Sequence, residues 1–247
     1  MSLHLVREGA VARIEIDRPE RRNAFRQDMW ARLPELVAEA AGDSAIKVMV
    51  LTGSHPGMFC AGADISEMLD NRANPDWLAA NQAAINRAQY ELTRAPMPTI
   101  AFVDGDCIGG GLGLALACDM RLATRRARFG VTPAKLGIVY PLHDTRLLVD
   151  LVGPGQASRL LYTGALIDAE EALRIGLVEE LAESAHALAA SITANATYSL
   201  KGLKQMIRWA RDGQIEDDRG SLDLFAAAFT APEFEERAAA FVARRRS

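Results

Sequence analysis

Apolar and polar residues alternate between Leu3 and Ile16, where Ala12, Ile14 and Ile16 interleave with Val11, Arg13 and Glu15. This period of two predicts a pair of strands around a turn at Glu8-Gly9, closed by Asp17-Arg18-Pro19. From Met29 to Ala41 the period lengthens: Met29, Leu33, Leu36, Val37 and Ala40 share one face of a helix that Pro34 should kink or start. Val48–Thr52 and Thr99–Val103 are short continuous apolar runs, the pattern of strands buried on both faces, and Met120–Ala123 is expected as a third strand. A loop is expected over 54–63, with Asp64 capping a short helix that runs through Leu69. Trp77–Thr93 is amphipathic and stops before Pro96 and Pro98, and Leu112–Ala117 is a helix of small residues. Buried strand, loop and helix thus repeat, which predicts an α/β architecture. Beyond Ala182 the segments around Leu188, Leu203–Ile207, Leu222–Phe229 and Phe234–Phe241 are all helical. The chain therefore divides into a core over 1–190 and a helical region over 191–247 that covers the core or meets a neighbour.

Composition narrows the class. With 247 residues, 49% hydrophobic and 24% charged, the chain has the balance of a globular protein large enough for a sizeable core. A formal charge of −4 and scattered arginines argue against nucleic acid as partner. Cys60, Cys107 and Cys118 lie in apolar surroundings without metal-ligand spacing, so buried thiols are expected, with neither a disulfide nor a metal. The uncharged stretch from Cys107 to Cys118 is too short to span a bilayer, which takes about 20 residues, and a cytoplasmic location is expected.

Two glycine-bearing loops carry the chemical information. Phe59-Cys60-Ala61-Gly62-Ala63-Asp64 follows one buried strand, and Ile108-Gly109-Gly110-Gly111-Leu112 follows another; each opens a helix. Unpaired N–H groups at a helix start lie in a positive field and favour an anion or a developing negative charge, so two such loops together would make an oxyanion hole. Glycines in these places also serve tight turns and close packing. No Lys-Ser or Lys-Thr follows the triplet as in a phosphate-binding loop, and the acidic partner of a dinucleotide-binding turn is missing.

Further landmarks are Arg18-Pro19-Glu20-Arg21-Arg22-Asn23-Ala24-Phe25 in the N-terminal loop, Gly113-Leu114-Ala115 with Cys118-Asp119, Phe129-Gly130 with Leu136-Gly137, and Ala169-Glu170-Glu171-Ala172 with Gly176-Leu177-Val178. In this order and spacing the sequence resembles the enoyl-CoA hydratase/isomerase family, the crotonase superfamily, over nearly its whole length. The resemblance implies a crotonase-like spiral of strand-strand-helix turns and a C-terminal trimerisation region. The assembly would be a homotrimer or a dimer of trimers. It also implies an acyl-CoA thioester as ligand, with no cofactor beyond the coenzyme A of the substrate. By position, the N–H groups of Ala61 and Gly110 would hold the thioester oxygen as an enolate forms. Substrate contacts are expected along Ala24, Ala63, Asp64 and Ile65, and Arg21, Arg22 and the terminal Arg244, Arg245 and Arg246 are candidate partners of the coenzyme phosphates.

At the acid–base positions the sequence departs from the hydratase pattern. Gly113 and Pro133 stand where hydratases of the family carry glutamates, and neither can move a proton. Thr132–Tyr140 is similar to the corresponding segment of methylmalonyl-CoA decarboxylases, in which loss of CO₂ would itself generate the enolate. Tyr140 could then orient a substrate carboxylate. It could equally pack with its hydroxyl satisfied before Pro141. His143 and His55 are candidate acid–base groups, although a surface or capping role for His143 and Asp144 and solvent exposure for His55 are the plainer readings. Lys135 reads as a solvated charge, and Phe225, Phe229, Phe234 and Phe241 as packing residues. The functions that remain are a hydratase/isomerase-type enzyme, a decarboxylase of a malonyl-type thioester, or an acyl-CoA binding protein without turnover.

Overall fold

In the computed structural model, which describes residues 2–244, the N-terminal alternation becomes a hairpin. Strands β1 (Leu3–Glu8) and β2 (Val11–Ile16) pair antiparallel, and β2 buries Ala12, Ile14 and Ile16 completely. After a short 3-10 turn at Pro19–Arg21, helix α1 (Gln27–Ala41) runs through Pro34 without ending. It starts seven residues before the proline and buries Met29, Trp30, Leu33, Leu36 and Val37. Each such large side chain contributes about 1.5–3 kcal/mol on burial.

Three turns of strand, strand and helix follow. The first is β3 (Val48–Gly53), β4 (Met58–Cys60), α2 (Ile65–Asp70) and α3 (Pro75–Thr93); the second is β5 (Thr99–Val103), β6 (Asp106–Ile108) and α4 (Gly110–Ala117). The third is β7 (Met120–Ala123), β8 (Arg128–Gly130), a 3-10 turn at Pro133–Leu136 and α5 (Leu142–Thr163), which breaks at Gly153. Then come β9 (Ile167–Asp168), α6 (Ala169–Arg174), β10 (Glu180–Leu181) and helices α7 (His186–Thr193), α8 (Thr197–Arg211), α9 (Arg219–Ala228) and α10 (Pro232–Arg244).

The first strand of each turn enters a six-stranded sheet of order β1-β2-β3-β5-β7-β10, parallel beyond the hairpin. The second strand of each enters a four-stranded sheet of order β4-β6-β8-β9. The stretch expected as a loop over 54–63 therefore contains β4, and the link between Val103 and Gly109 contains β6. Both strands have only three residues, too short for a hydrophobic period to show.

Helix α4 lies at the centre, with every residue from Gly111 to Ala117 buried. Its small side chains allow this: a β-carbon on Gly111 would come within 2.3 Å of the Cys60 carbonyl oxygen, so only glycine lets α4 press against the end of β4. Cys60, Cys107 and Cys118 are buried free thiols, and burial pushes the Cys60 and Cys118 thiols up to about 12. The boundary expected at residue 190 falls inside α7, whose Ala185 and Ala189 flank pack on Val48, Val50, Ile100 and Leu122 of the large sheet. The helices that leave the core begin with α8, anchored by buried Lys204 on Asp119 and the Met97 carbonyl, both at 2.8 Å. Among the described residues no helix is long and apolar enough to cross a membrane.

Candidate active site

β4 and β6 are parallel neighbours, with Cys60 opposite Cys107, so the loops that leave their ends run side by side. In the first loop the N-terminal segment consumes most of the backbone donors. Ala61 N–H donates to the Arg22 carbonyl at 3.0 Å, Gly62 N–H to the Cys60 Sγ at 3.4 Å and Asp64 N–H to the Phe25 carbonyl at 2.8 Å. Ala63 N–H donates to no described residue. In the second loop Gly109 N–H donates to the Gly130 carbonyl at 2.9 Å, while Gly110 N–H, the first of α4, is likewise unpaired among the described residues. The two segments touch: a β-carbon on Gly110 would lie 3.5 Å from the Ala63 nitrogen, and one on Gly62 would lie 3.4 Å from the Gly110 nitrogen. The donor expected at Ala61 is thus displaced to Ala63, because Ala61 is already committed to Arg22.

The wall behind the pair is apolar. Trp30 lies 3.2 Å from where a Gly110 β-carbon would be, and its ring packs on Phe25 at a centroid distance of 4.5 Å. Ile65 and Leu69 on one side, and Ile138, Val139 and Leu142 on the segment after Pro133, leave large apolar side chains in solvent. A pair of unpaired donors backed by an apolar ring suits an uncharged oxygen that becomes negative during a reaction.

The N-terminal loop is held by three residues. Asn23, buried and at φ +57°, accepts from Arg18 N–H at 2.8 Å and donates to the Phe59 carbonyl at 3.1 Å. Arg18 reaches the Ala24 carbonyl at 2.8 Å and the Asp64 carboxylate at 2.7 Å, and both charged side chains are nearly buried. Asp64 also caps α2, as expected, by accepting from Ser66 and Glu67 N–H. Burial pushes its carboxyl up, but the hydrogen bonds from Arg18 and the two backbone donors, with the charge of Arg18, hold it below the usual carboxylate range. Asp64 is therefore a strut of the loop, and its carboxylate is spent on Arg18. Sequence reasoning missed Arg18 as a site residue, although it sits in the same loop as Arg21 and Arg22. Arg22 pairs with Asp106, which also holds Arg128, and Arg21 is exposed. Ala24 is half-buried beside the loop and Ile65 is exposed. Arg245 and Arg246 lie outside the described residues.

Tyr140 is buried and its hydroxyl donates to the Gly109 carbonyl at 3.0 Å. Burial, then the charge of Asp144, pushes its phenol well above the usual range, so it stays a neutral donor. The expectation that Tyr140 faces a substrate carboxylate is replaced by a contact to the peptide that carries the Gly110 donor. That peptide is trans, so a carbonyl pinned on one side aims the N–H to the other.

Pro133 opens the 3-10 turn, and Gly113 lies one helical turn above Gly110 on α4. The space a side chain at Gly113 would enter is filled: a β-carbon there would meet Gln89 Nε2 at 2.6 Å and the Asp144 Oδ2 at 2.8 Å. Gln89 donates to that same Oδ2 at 2.9 Å. Asp144 is 1% exposed, which overturns the surface or capping role read from its sequence neighbours. Burial pushes its carboxyl up to about 6, partly opposed by the Gln89 hydrogen bond. The helical spacing of Asp144, Leu147, Leu148 and Leu151 was the available signal, since it sets the aspartate on the apolar stripe of α5.

The two histidines are not brought to the hole. His55 is exposed and contacts Ser54 at 2.8 Å and Asp17 at 3.4 Å. His143 lines a separate cavity of about 250 Å³ with Arg94, Arg146 and Arg211, and burial and the charges of Arg146 and Arg211 lower its pKa. Lys135 is exposed, its stem packed over Gly164. Phe225, Phe229 and Phe234 stack edge to face on α9 and α10, with centroids 5.2 and 5.3 Å apart. An apolar cavity of about 440 Å³ lies at the C-terminal end of α4 against α8, at the opposite end of that helix from the hole.

Comparison with known proteins finds matches over nearly the whole chain. Residues 6–247 match the family described as enoyl-CoA hydratase/isomerase. A short-chain-enoyl-CoA hydratase from Clostridium acetobutylicum is 34% identical, with 98% of this chain and 95% of that protein covered. A crotonyl-CoA hydratase from Syntrophomonas wolfei is also 34% identical over 98% of this chain and 95% of its own. Among solved structures, an enoyl-CoA hydratase/isomerase family protein from Hyphomonas neptunium superposes with a TM-score of 0.95 at 38% identity, covering 99% of this chain and 95% of that one.

Proposed function

Because the chain belongs to the enoyl-CoA hydratase/isomerase family, we propose that it binds an acyl-CoA thioester with the carbonyl oxygen between the N–H groups of Ala63 and Gly110 and reacts it through an enolate. The observation that carries this reading is the pair of unpaired backbone donors on touching loops, backed by Trp30. As a proton or a carboxyl group leaves Cα, negative charge moves onto the oxygen, and fixed donors in a water-poor site bind that charge better than the starting carbonyl. A donor of this kind is worth about 3 kcal/mol, or about 10²-fold in rate. The exposed apolar side chains of Ile65, Leu69, Ile138 and Val139 suit an acyl chain, and Arg21, exposed and without an ion pair among the described residues, is a cation available to a coenzyme phosphate.

The decarboxylase reading draws on the missing glutamates and on a tyrosine facing the acyl group, and Tyr140 is instead bonded to Gly109. The hydratase/isomerase reading is therefore favoured. Three half-exposed phenylalanines, Phe225, Phe229 and Phe234, further support a homotrimer or a dimer of trimers built through α9 and α10. Sedimentation at micromolar concentration is expected to give the trimer or hexamer mass, and a monomer refutes that assembly.

The test of the hole is turnover of crotonyl-CoA, a 3-enoyl-CoA and methylmalonyl-CoA by the unmodified protein and by Gly110→Pro. Proline removes the donor at the first position of α4, where a missing N–H is otherwise tolerated. A fall of about 10² or more in the reaction catalysed is expected. Full activity in folded Gly110→Pro removes the hole from the mechanism, and saturable binding of all three thioesters without product identifies a binding protein.

A further inference from the structure

Both glutamate positions of the hydratase pattern are empty of acid–base chemistry, yet a carboxyl group stands in the space that one of them would fill. Gly113 and Gly110 are three residues apart on α4 and so share a face, on the order of 5–6 Å apart. The Asp144 Oδ2 sits 2.8 Å from the point where a Gly113 β-carbon would be. It arrives there from a different helix, the first turn of α5, beside the Tyr140 that pins the Gly109–Gly110 peptide. Gly113 is thus not a lost function by itself, since its missing side chain makes the room that Asp144 and Gln89 occupy.

Two further facts separate this carboxyl from a core residue with its needs met. The Asp144 Oδ1 and the Gln89 Oε1 are both buried acceptors without a hydrogen-bond partner among the described residues. Among the described residues only burial and the Gln89 hydrogen bond act on the ionisation of Asp144, and no ion pair is formed. The groups that face it are Gln89 from α3, the Gly113 backbone of α4 and the neutral phenol of Tyr140. A buried carboxyl held by one amide, with its second oxygen unpartnered, costs stability.

Resting on the reading of the hole given above, we propose that Asp144 is the catalytic acid–base residue of this site, moving one proton to and from the acyl carbon next to the thioester. In the forward step the carboxylate takes the Cα proton. The C–H electron pair becomes the Cα–C1 double bond, and the carbonyl π pair moves to oxygen, where the Ala63 and Gly110 N–H groups receive it. The carboxyl then trades its proton with a solvent water while the enolate is held, and returning a solvent proton to Cα reverses each electron movement, so in D₂O a deuteron replaces the proton and water is the one further reactant. Gln89 is a positioning residue, aiming Oδ2 and stabilising the ionised form.

The test is exchange of the α-protons of butyryl-CoA in D₂O, followed by NMR, with binding of the same thioester measured by calorimetry. The unmodified protein is expected to exchange the protons with a rate that rises with pH through an inflection near about 6 and then levels, because the base form is required. Asp144→Asn should bind butyryl-CoA as before and exchange it more slowly by about 10²-fold or more. Equal exchange by a folded Asp144→Asn overturns the proposal, as does an unmodified protein that binds butyryl-CoA and exchanges nothing. No binding by the unmodified protein defeats the reading of the hole instead. Gln89→Leu keeps the question open to refutation even when the asparagine variant does not fold. Loss of its hydrogen bond should move the inflection to higher pH, and an unmoved inflection assigns the titration to another group.

Discussion

Tyr140→Phe tests whether the phenol acts through the peptide it touches. The substitution removes one oxygen and with it the 3.0 Å bond to the Gly109 carbonyl. That carbonyl keeps a second donor, Gly113 N–H at 3.1 Å, so it is not orphaned, and the stability loss should sit within about 0.5–1.5 kcal/mol. The effect on rate has a different origin. The Gly110 N–H belongs to the same planar unit as the Gly109 carbonyl, so releasing the carbonyl loosens the donor's aim and removes the polarisation that strengthens it. If a third to a half of a donor worth about 3 kcal/mol is lost, the barrier rises by about 1–1.5 kcal/mol and kcat falls about tenfold. KM should change little, because the loss falls on the charged state of the oxygen. Infrared difference spectra of a bound thioester labelled at its carbonyl give an independent readout. The downshift of the C=O stretch should shrink in Tyr140→Phe. Lower melting temperature with unchanged kcat and unchanged stretch would refute the argument and leave Tyr140 as a packing residue.

Two further outcomes follow from charge burial. Asp144 has a raised folded pKa, so its protonated form is the stable one in the fold. Its contribution is present below the usual carboxylate range and is lost as pH rises through about 6. From 3.8 to about 6, at about 1.4 kcal/mol per pH unit, that is about 3 kcal/mol. Urea unfolding of Asp144→Asn should therefore show a gain over the unmodified protein that is larger at pH 8 than at pH 4.5, and a pH-independent difference would contradict the burial argument. Asp64 has the opposite sign: its lowered pKa gives stability above the usual carboxylate range that is lost as pH falls. Arg18→Leu should cost about 3–5 kcal/mol by stranding the carboxylate and should shift acid unfolding to higher pH. A variant within about 0.5 kcal/mol of the original by chemical denaturation would show that the pair is not holding the loop.

Much of this was legible in the residues. The buried runs of β3, β5 and β7, the Asp64 cap and the glycine start of α4 are local patterns, and local patterns survive folding. What was not legible depends on distant partners. Which N–H group of the first loop stays unpaired is decided by Arg22 and Phe25, which fold over it from nearly forty residues away in sequence and take the neighbouring donors. Pro34 reads as a kink or a start, yet α1 begins seven residues before it, and Trp30, Leu33 and Leu36 bury enough apolar surface to carry the helix through it. Beside His143, Asp144 reads as a surface or capping residue, but its spacing with Leu147 and Leu148 puts it on the buried stripe of α5.

The donors of the hole are main-chain atoms, and this has a consequence for how such a protein can change. A backbone N–H is encoded by every residue except proline, so ordinary mutation cannot delete it. The carboxyl groups that move protons are encoded by single codons and are readily exchanged, relocated to another helix or dropped. On the proposed mechanism, charge stabilisation and proton transfer are inherited separately: the first is set by the path of the chain at Ala63 and Gly110, the second by side chains such as Asp144. A lineage can abandon one reaction and acquire another without ever passing through an ancestor that has lost its hold on the intermediate.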